Sequence, residues 1–372
     1  MKTIGLDGSR AFLKYRTGIE EYSYQVIKHL RNEIGGDVRV YLYVRKKIRI
    51  HKGRIVFVYP EIDFNLPKNW KLVGIWAPRY WTQIGLSLQM FVHSVDTLFV
   101  PAHTLPLIGA RRNVVTIHGL EYEITKESYG FWERLYMKFS IRYSCLKANT
   151  IIAVSENTKH DLMRLYGITE QKIIVIREGF VESSKELVLG VKETIKEPYF
   201  LFIGRIEERK NVIRIIEAFE LFKEKYQGNE KLVLIGRPGY GYEKIHNKRE
   251  RSKWKNDILE QGYVTQKEKQ MFLSGATLFI FPSLYEGFGL PVLEAQAASI
   301  PVVTSDSSSL PEIGGEGALY VDPLTSQSIF EGIEKVMTLE NDSREALVSR
   351  GRENTKRFSW RKCAEEVSRY LA

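Results

Sequence analysis

The sequence has almost no cysteine. Cys145 and Cys363 are the two in 372 residues, far apart and without metal-ligand company at finger spacing. That excludes a disulfide scaffold and a structural zinc module, and it suits a reducing cytoplasm. Long apolar runs are missing too. The uncharged stretch from Tyr80 to Val95 contains Gln83, Gln89 and His93, so it falls short of the roughly 20 apolar residues a bilayer helix needs. No secretory signal is expected, because Met1–Asp7 reads as a first strand and Asp7 comes too early for an apolar signal core. Low-complexity segments are absent. An acidic excess is absent as well: the net charge is +10. All of the basic excess sits early, with 23 Lys/Arg against 12 Asp/Glu in residues 1–150 and 32 against 33 in residues 151–372. A one-sided field of this kind implies an anionic partner for the first part of the chain.

What is present is a repeated pattern. Short runs rich in Val, Ile and Phe alternate with helix-like stretches. The first set lies at Lys2–Leu6, Val38–Val44, Arg54–Val58, Thr97–Val100, Val114–Ile117, Thr150–Val154 and Lys172–Val175. The second lies at Tyr199–Ile203, Lys231–Ile235, Leu259–Tyr263, Leu278–Phe281, Pro301–Thr304 and Ala318–Val321. Such runs lack strict alternation, as strands buried on both faces of a parallel sheet do. The class is α/β, doubly wound. The polar segment Glu182–Pro198 marks a boundary, giving domains at 1–182 and 198–357. The last helix, 358–372, can return to the first domain.

Ligands of doubly wound sheets bind outside the carboxyl ends of the strands, which directs attention to four loops. In Phe281-Pro-Ser-Leu-Tyr-Glu286-Gly287-Phe288-Gly289-Leu290-Pro291-Val-Leu-Glu294, a strand ends, glycines follow and a helix opens at a proline. Free amides and the positive helix end suit a pyrophosphate. Glu286 and Glu294 suit hydroxyl groups, such as those of a sugar and a ribose. In Gly204-Arg205-Ile-Glu-Glu-Arg209-Lys210-Asn211, Arg205 and Lys210 can neutralise a departing diphosphate. His118 follows a buried strand in Val114-Val-Thr-Ile-His118-Gly119. Gly18 follows the first strand in Arg16-Thr-Gly18-Ile-Glu.

The string from Glu286 to Glu294 resembles the signature of the family 4 (group 1) retaining glycosyltransferases. Their GT-B architecture has two Rossmann-like domains facing across a cleft. The resemblance implies that Glu286 holds hydroxyls of the donor hexose, Glu294 the ribose, and the amides of Gly287, Phe288, Gly289 and Leu290 the phosphate and sugar. It places Arg205 and Lys210 on the donor phosphates, His118 near the reaction centre, and the Gly18 backbone over the phosphates. Tyr263 and Val264 correspond to the segment that reads the nucleobase. Catalytic roles are thus expected of His118, Glu286, Arg205 and Lys210. One departure stands out: the family's acid after the histidine is Gly119 here. Arg209 does not match a phosphate-binding position and reads as a surface residue.

The implied enzyme is a hexosyltransferase. It takes its sugar from a nucleoside diphosphate and gives it, with retention, to a saccharide or lipid-linked acceptor in cell-surface polysaccharide synthesis. The stretch Leu234–Tyr240 and the Gly18 loop look most like bacterial mannosyltransferases that use GDP-mannose. UDP-glucose and UDP-N-acetylglucosamine are the alternative donors. No Asp-x-Asp pair occurs, so no metal or other cofactor is expected, with Arg205 and Lys210 taking the cation's place. The basic cluster Arg45, Lys46, Lys47, Arg49, Lys52 and Arg54 suggests an anionic membrane surface, and Trp76 and Trp81 fit either such an interface or ordinary core or groove packing. The expected location is therefore cytoplasmic and peripheral on the inner face. A non-catalytic nucleotide-sugar binder would explain Gly119. A nucleic-acid-binding protein would explain the charge but leaves the glutamate signature unexplained. An epimerase or phosphorylase of the same architecture fits that signature less well.

Overall fold

The computed structural model describes residues 1–14, 16–51, 54–77, 80–180 and 195–371. Two compact units divide the chain. One takes the described residues of 1–120, 132–179 and 358 onward, and the other takes those of 121–131 and 180–357. One detail differs from the expected division at 1–182 and 198–357: residues 121–131 group with the second unit. The chain end from Phe358 groups with the first. Of the expected boundary segment, residues 182–194 lie outside the described residues.

The first unit holds β1 (Thr3–Asp7), β2 (Arg39–Arg45), β3 (Lys47–His51), β4 (Arg54–Val58), β5 (Trp70–Ile75), β6 (Thr97–Val100), β7 (Arg112–Ile117), β8 (Thr150–Ala153) and β9 (Ile173–Val175). Seven of these form one sheet in the order β5-β2-β1-β6-β7-β8-β9. Every pairing in it is parallel. Arg54–Val58 is a strand, but not of this sheet. It pairs antiparallel with Lys47–His51 in a separate hairpin, where Val56 and Phe57 are exposed. The sheet edge is filled instead by Trp70–Ile75, which the sequence pattern does not reveal. Its polar lead-in and exposed Lys71 suit an edge strand and disguise the apolar run.

The second unit holds β10 (Tyr199–Ile203), β11 (Lys231–Ile235), β12 (Ile258–Gly262), β13 (Leu278–Phe281), β14 (Val302–Ser305) and β15 (Leu319–Val321). They form a parallel sheet in the order β12-β11-β10-β13-β14-β15. The order reverses between β10 and β13, which makes this pair the switch point where doubly wound sheets bind ligands. The first sheet reverses in the same way between β1 and β6.

Burial explains why the second sheet holds its loops firmly. Phe200, Phe202, Phe279 and Phe281 on the two switch-point strands are fully buried. Truncating one such ring to alanine typically costs about 3–5 kcal/mol. The helix Val212–Tyr226 lays Val212, Ile215, Ile216, Phe219 and Phe222 on this core at helical spacing. Asn211 starts that helix in the left-handed region, with φ at 63°. Its amide donates to the carbonyls of Pro282, at 3.0 Å, and Pro323, at 2.7 Å. The loops after β10 and β13 are thereby tied to each other.

Candidate active site

At the switch point of the second sheet, Lys210 and Glu286 meet. Lys210 Nζ lies 2.5 Å from Glu286 Oε1, and both side chains are about nine-tenths buried. Arg209 joins them from the same turn. Its guanidinium lies 3.5 Å from Glu286 Oε2 and 2.8 Å from Glu207 Oε1, and it donates to the Tyr285 carbonyl at 2.8 Å. Burial works to raise the Glu286 carboxyl, but the charges of Lys210 and Arg209 outweigh it and hold the carboxyl below its usual range. Burial also pulls the Lys210 ammonium below its ordinary value, although Glu286 opposes this. Arg205 is different. Its side chain is 64% exposed and only loosely paired with Glu207, at 3.6 Å, so its charge is open to a ligand.

Serines fix the glycine loop from behind. Ser309 Oγ donates to the carbonyls of Glu286 and Phe288, at 2.9 and 2.6 Å, while the Glu286 amide donates to Ser308 Oγ at 3.0 Å. Gly289 has φ at +121°, a conformation that side chains with a Cβ rarely adopt. The helix Leu290–Ala297 opens there with Pro291 in its first turn. Glu294, on that helix, is 2.5 Å from Lys269 Nζ. The loop after β12 carries Tyr263, exposed, with the Arg237 guanidinium 4.4 Å from its ring centre. Val264 beside it is partly buried against the core. Glu286, Lys210 and Arg209 are thus in direct contact. Glu294 and Tyr263 stand on separate elements with partners of their own.

In the first unit, Gly18 is the first residue of the helix Gly18–Glu33, capped by the reciprocal pair Thr17 and Glu20. A Cβ at Gly18 would meet nothing within 4 Å, so no packing inside the protein demands a glycine there. His118, at the end of β7, is held at both ring nitrogens. Nδ1 lies 3.0 Å from Glu178 Oε1, and Nε2 lies 2.8 Å from the Pro101 carbonyl. A carbonyl only accepts, so Nε2 carries a hydrogen. A role for His118 at a substrate requires one of these two bonds to open.

Comparison with known proteins adds the decisive observation. The family model described as Glycosyltransferase Family 4 matches residues 16–182, and the one described as Glycosyl transferases group 1 matches residues 190–354. The chain is 30% identical to O-antigen chain mannosyltransferase B of Escherichia coli over 264 residues, 69% of each chain. The chain belongs to the family 4 glycosyltransferases. This transferase is also 25% identical to O-antigen chain mannosyltransferase RfbU of Salmonella typhimurium, over 96% of its own length and 97% of the relative's. Its fold matches that of sucrose-phosphate synthase from Thermosynechococcus elongatus with a TM-score of 0.72, at 16% identity over 99% of this chain and 98% of the other. The architecture is GT-B.

Two side chains of the transferase escaped the sequence reading. Arg209 is not a surface residue: its side chain is 14% exposed and lies on Glu207 and Glu286. The charged run Glu207-Glu-Arg-Lys210 looks like a solvated face, and only its position at the end of a fully buried strand argues otherwise. Glu178 is the other: it is 4% exposed and lies 3.0 Å from His118 Nδ1. Gly119 has φ at +151°, which disfavours an aspartate in that place. The available signal for Glu178 was an acid just past the end of β9. Of the two tryptophans Trp76 and Trp81, Trp81 packs in the core. It is buried, 2% exposed, and its indole donates to the Ile75 carbonyl at 3.1 Å. A cavity of about 680 Å³ lies between β15 and the helices Ser326–Met337 and Asn341–Thr355 and contains none of the candidate residues. Among the described residues, no three His, Cys, Asp or Glu side chains gather as a metal site.

Beside His118 lies a second histidine. The rings of His103 and His118 are 5.2 Å apart, and His103 Nδ1 is buried without a hydrogen-bond partner. Burial first, and then the nearby His118 and Arg10 charges, push the His103 imidazole well below 6.5. In the unfolded chain it would take up a proton as pH falls through 6.5, while the folded form stays neutral. Its contribution to stability is therefore present above that pH and lost below it, by up to about 1.4 kcal/mol per pH unit. His103 has φ at +51°, which asparagine tolerates. The expected result is a flatter fall in stability between about pH 6.5 and 5 in His103→Asn than in the parent, read by denaturant titration at each pH.

Proposed function

We propose that the transferase moves a hexose, mannose from GDP-mannose, with retention of configuration. The acceptor is a saccharide or lipid-linked saccharide of a cell-surface polysaccharide, met on the inner face of the membrane. One observation carries the reading: a buried Lys210–Glu286–Arg209 cluster at the switch point of the second sheet, with Arg205 exposed beside it. In this reading the diphosphate lies against Arg205, Lys210 and the amides of Gly287, Phe288, Gly289 and Leu290. Glu286, kept ionised by its two cations, accepts hydrogen bonds from the hexose hydroxyls. Glu294 takes the ribose, and Tyr263 and Val264 flank the base. The open space at Gly18 leaves room for a phosphate to approach the backbone.

As the bond from sugar to phosphate lengthens, negative charge grows on the leaving diphosphate. Fixed cations stabilise that charge without reorganising. They can serve where other transferases use a divalent ion, so the reaction needs no metal. The acceptor hydroxyl attacks from the same face, and its proton passes to the departing phosphate. The mannose assignment rests on relatives named as mannosyltransferases and on the Leu234–Tyr240 segment. A thermal-shift panel tests it. GDP-mannose at 100 times its dissociation constant is expected to stabilise the chain by about 2.7 kcal/mol, and Lys210→Ala to abolish the shift. A shift with UDP-sugars alone would replace mannose by glucose or N-acetylglucosamine.

A further inference from the structure

A second cavity, of about 430 Å³, opens at the carboxyl edge of the second sheet. Its floor is built from the loops after β10, β13, β14 and β15, and its wall from residues 124–128. All of it belongs to the second unit. Backbone bonds hold the floor in shape. The Leu284 amide donates to the Arg209 carbonyl at 3.0 Å, and the Asp306 amide to the Val321 carbonyl at 3.0 Å. The Leu324 amide donates to Asp322 Oδ1 at 2.8 Å. Arg209 is the basic residue of the lining, and its charge is already engaged by Glu207 and Glu286. Glu208 pairs with Lys244 at 2.6 Å. Three further carboxylates of the lining, Glu127, Asp306 and Asp322, enter no ion pair among the described residues. Ile124, Leu284 and Leu324 supply its apolar surface.

Such a lining discriminates by charge. Carboxylates without a cation accept hydrogen bonds from hydroxyl groups and repel anions. A nucleotide or a sugar phosphate is therefore refused, so the cavity is no second donor site. A hydroxyl-rich neutral ring is accepted, and its C–H faces meet the apolar side chains. The volume lies within the range of roughly 300–1,000 Å³ typical of small-molecule pockets. Position points the same way. The strand order runs from β12, which bears the Tyr263 loop, through β10 and β13, which bear Arg205, Lys210 and Glu286, to β14 and β15. A donor laid out as proposed has its base at the β12 end and its hexose at Glu286. The cavity comes next in that line, and Arg209 links the two by lying on Glu286 and lining the cavity. We infer that this cavity holds a neutral sugar residue of the acceptor saccharide, with Asp306 and Asp322 accepting hydrogen bonds from its hydroxyls. The inference rests on the reading of the acceptor as a saccharide and deepens it: acidic and phosphorylated sugars are excluded from this position.

The test is saturation-transfer NMR on the full chain, with mannobiose as the neutral probe and glucuronic acid as the charged one. Mannobiose is expected to bind, and glucuronic acid is not. Asp306→Asn with Asp322→Asn should weaken mannobiose binding at least about tenfold, because hydrogen bonds to a charged group are the stronger ones. Leu324→Ser should weaken it severalfold by removing apolar contact. Leu324 is 65% exposed and both aspartates are exposed. An asparagine Oδ1 at position 322 can still accept the Leu324 amide, so melting should stay unchanged in each variant. Asp306→Lys should admit glucuronic acid. Mannobiose binding that ignores these substitutions would overturn the inference. So would a parent that binds no mannobiose, or one that binds glucuronic acid equally well. The donor reading has its own check: if no nucleotide sugar shifts the melting of the parent, that reading fails, whatever mannobiose does.

Discussion

Lys210→Ala is expected to lower kcat for transfer by about 10²–10³-fold, the usual loss when one charge is removed from a dry transition-state site. The ammonium sits 2.5 Å from Glu286, so the substitution does two things. It removes a cation from the leaving group, and it leaves a buried carboxylate with Arg209 as its main partner. The second effect destabilises the fold, because breaking a buried pair costs about 3–5 kcal/mol. Arg205→Ala separates the two effects. Its side chain is 64% exposed, so melting should be nearly unchanged, while kcat should fall by a similar factor if the charge faces the diphosphate. A full-rate Arg205→Ala enzyme would remove the diphosphate from this place. Glu286→Gln keeps the shape and loses the charge, so its rate loss combines the hexose contact with the lost pairing of Lys210 and Arg209.

Gly236→Ala should cost stability and activity together. Gly236 follows β11 with φ at +151°, and an added Cβ would lie 1.7 Å from the Gly204 carbonyl oxygen. The obstacle is backbone, which cannot swing aside as a side chain can. Gly236 also donates its amide to the Gly262 carbonyl at 2.8 Å, while the Gly204 amide donates to Ile235 at 2.9 Å. Three loops at the carboxyl edge of the sheet therefore meet at one residue. Strain at such a position costs of the order of 1–3 kcal/mol. With about 2–4 °C lost per kcal/mol in a domain of this size, the melting temperature should fall by several degrees. The displaced loop is the one bearing Arg205 and Lys210, so donor affinity should fall as well. An alanine variant with unchanged melting and activity would mean that this backbone contact is absent.

Much of this was legible in the sequence because parallel strands buried on both faces announce themselves. Runs such as Tyr199–Ile203 and Leu278–Phe281 have one reading, and the loops after them follow. The glycine–proline punctuation around Gly289 and Pro291 fixes where the next helix starts. Legibility failed where tertiary context overrides local pattern. Arg209 looks like its solvated neighbours, yet the fold turns it inward onto Glu207 and Glu286. Glu178 partners His118 across 60 residues of chain, and no periodicity reports such a contact. Arg54–Val58 has strand composition, but composition does not tell a hairpin from a sheet edge.

The last helix, Trp360–Ser368, carries a practical consequence. The Trp360 ring lies 5.9 Å from that of Tyr22, and a Cβ at Gly179 would come within 2.1 Å of the Trp360 amide nitrogen. A gene fragment ending before residue 180 would thus strip the cover from Tyr22 and expose fresh apolar surface. Excising the first unit cleanly calls for a splice that keeps residues 358–371, whereas cutting at the linker alone invites aggregation.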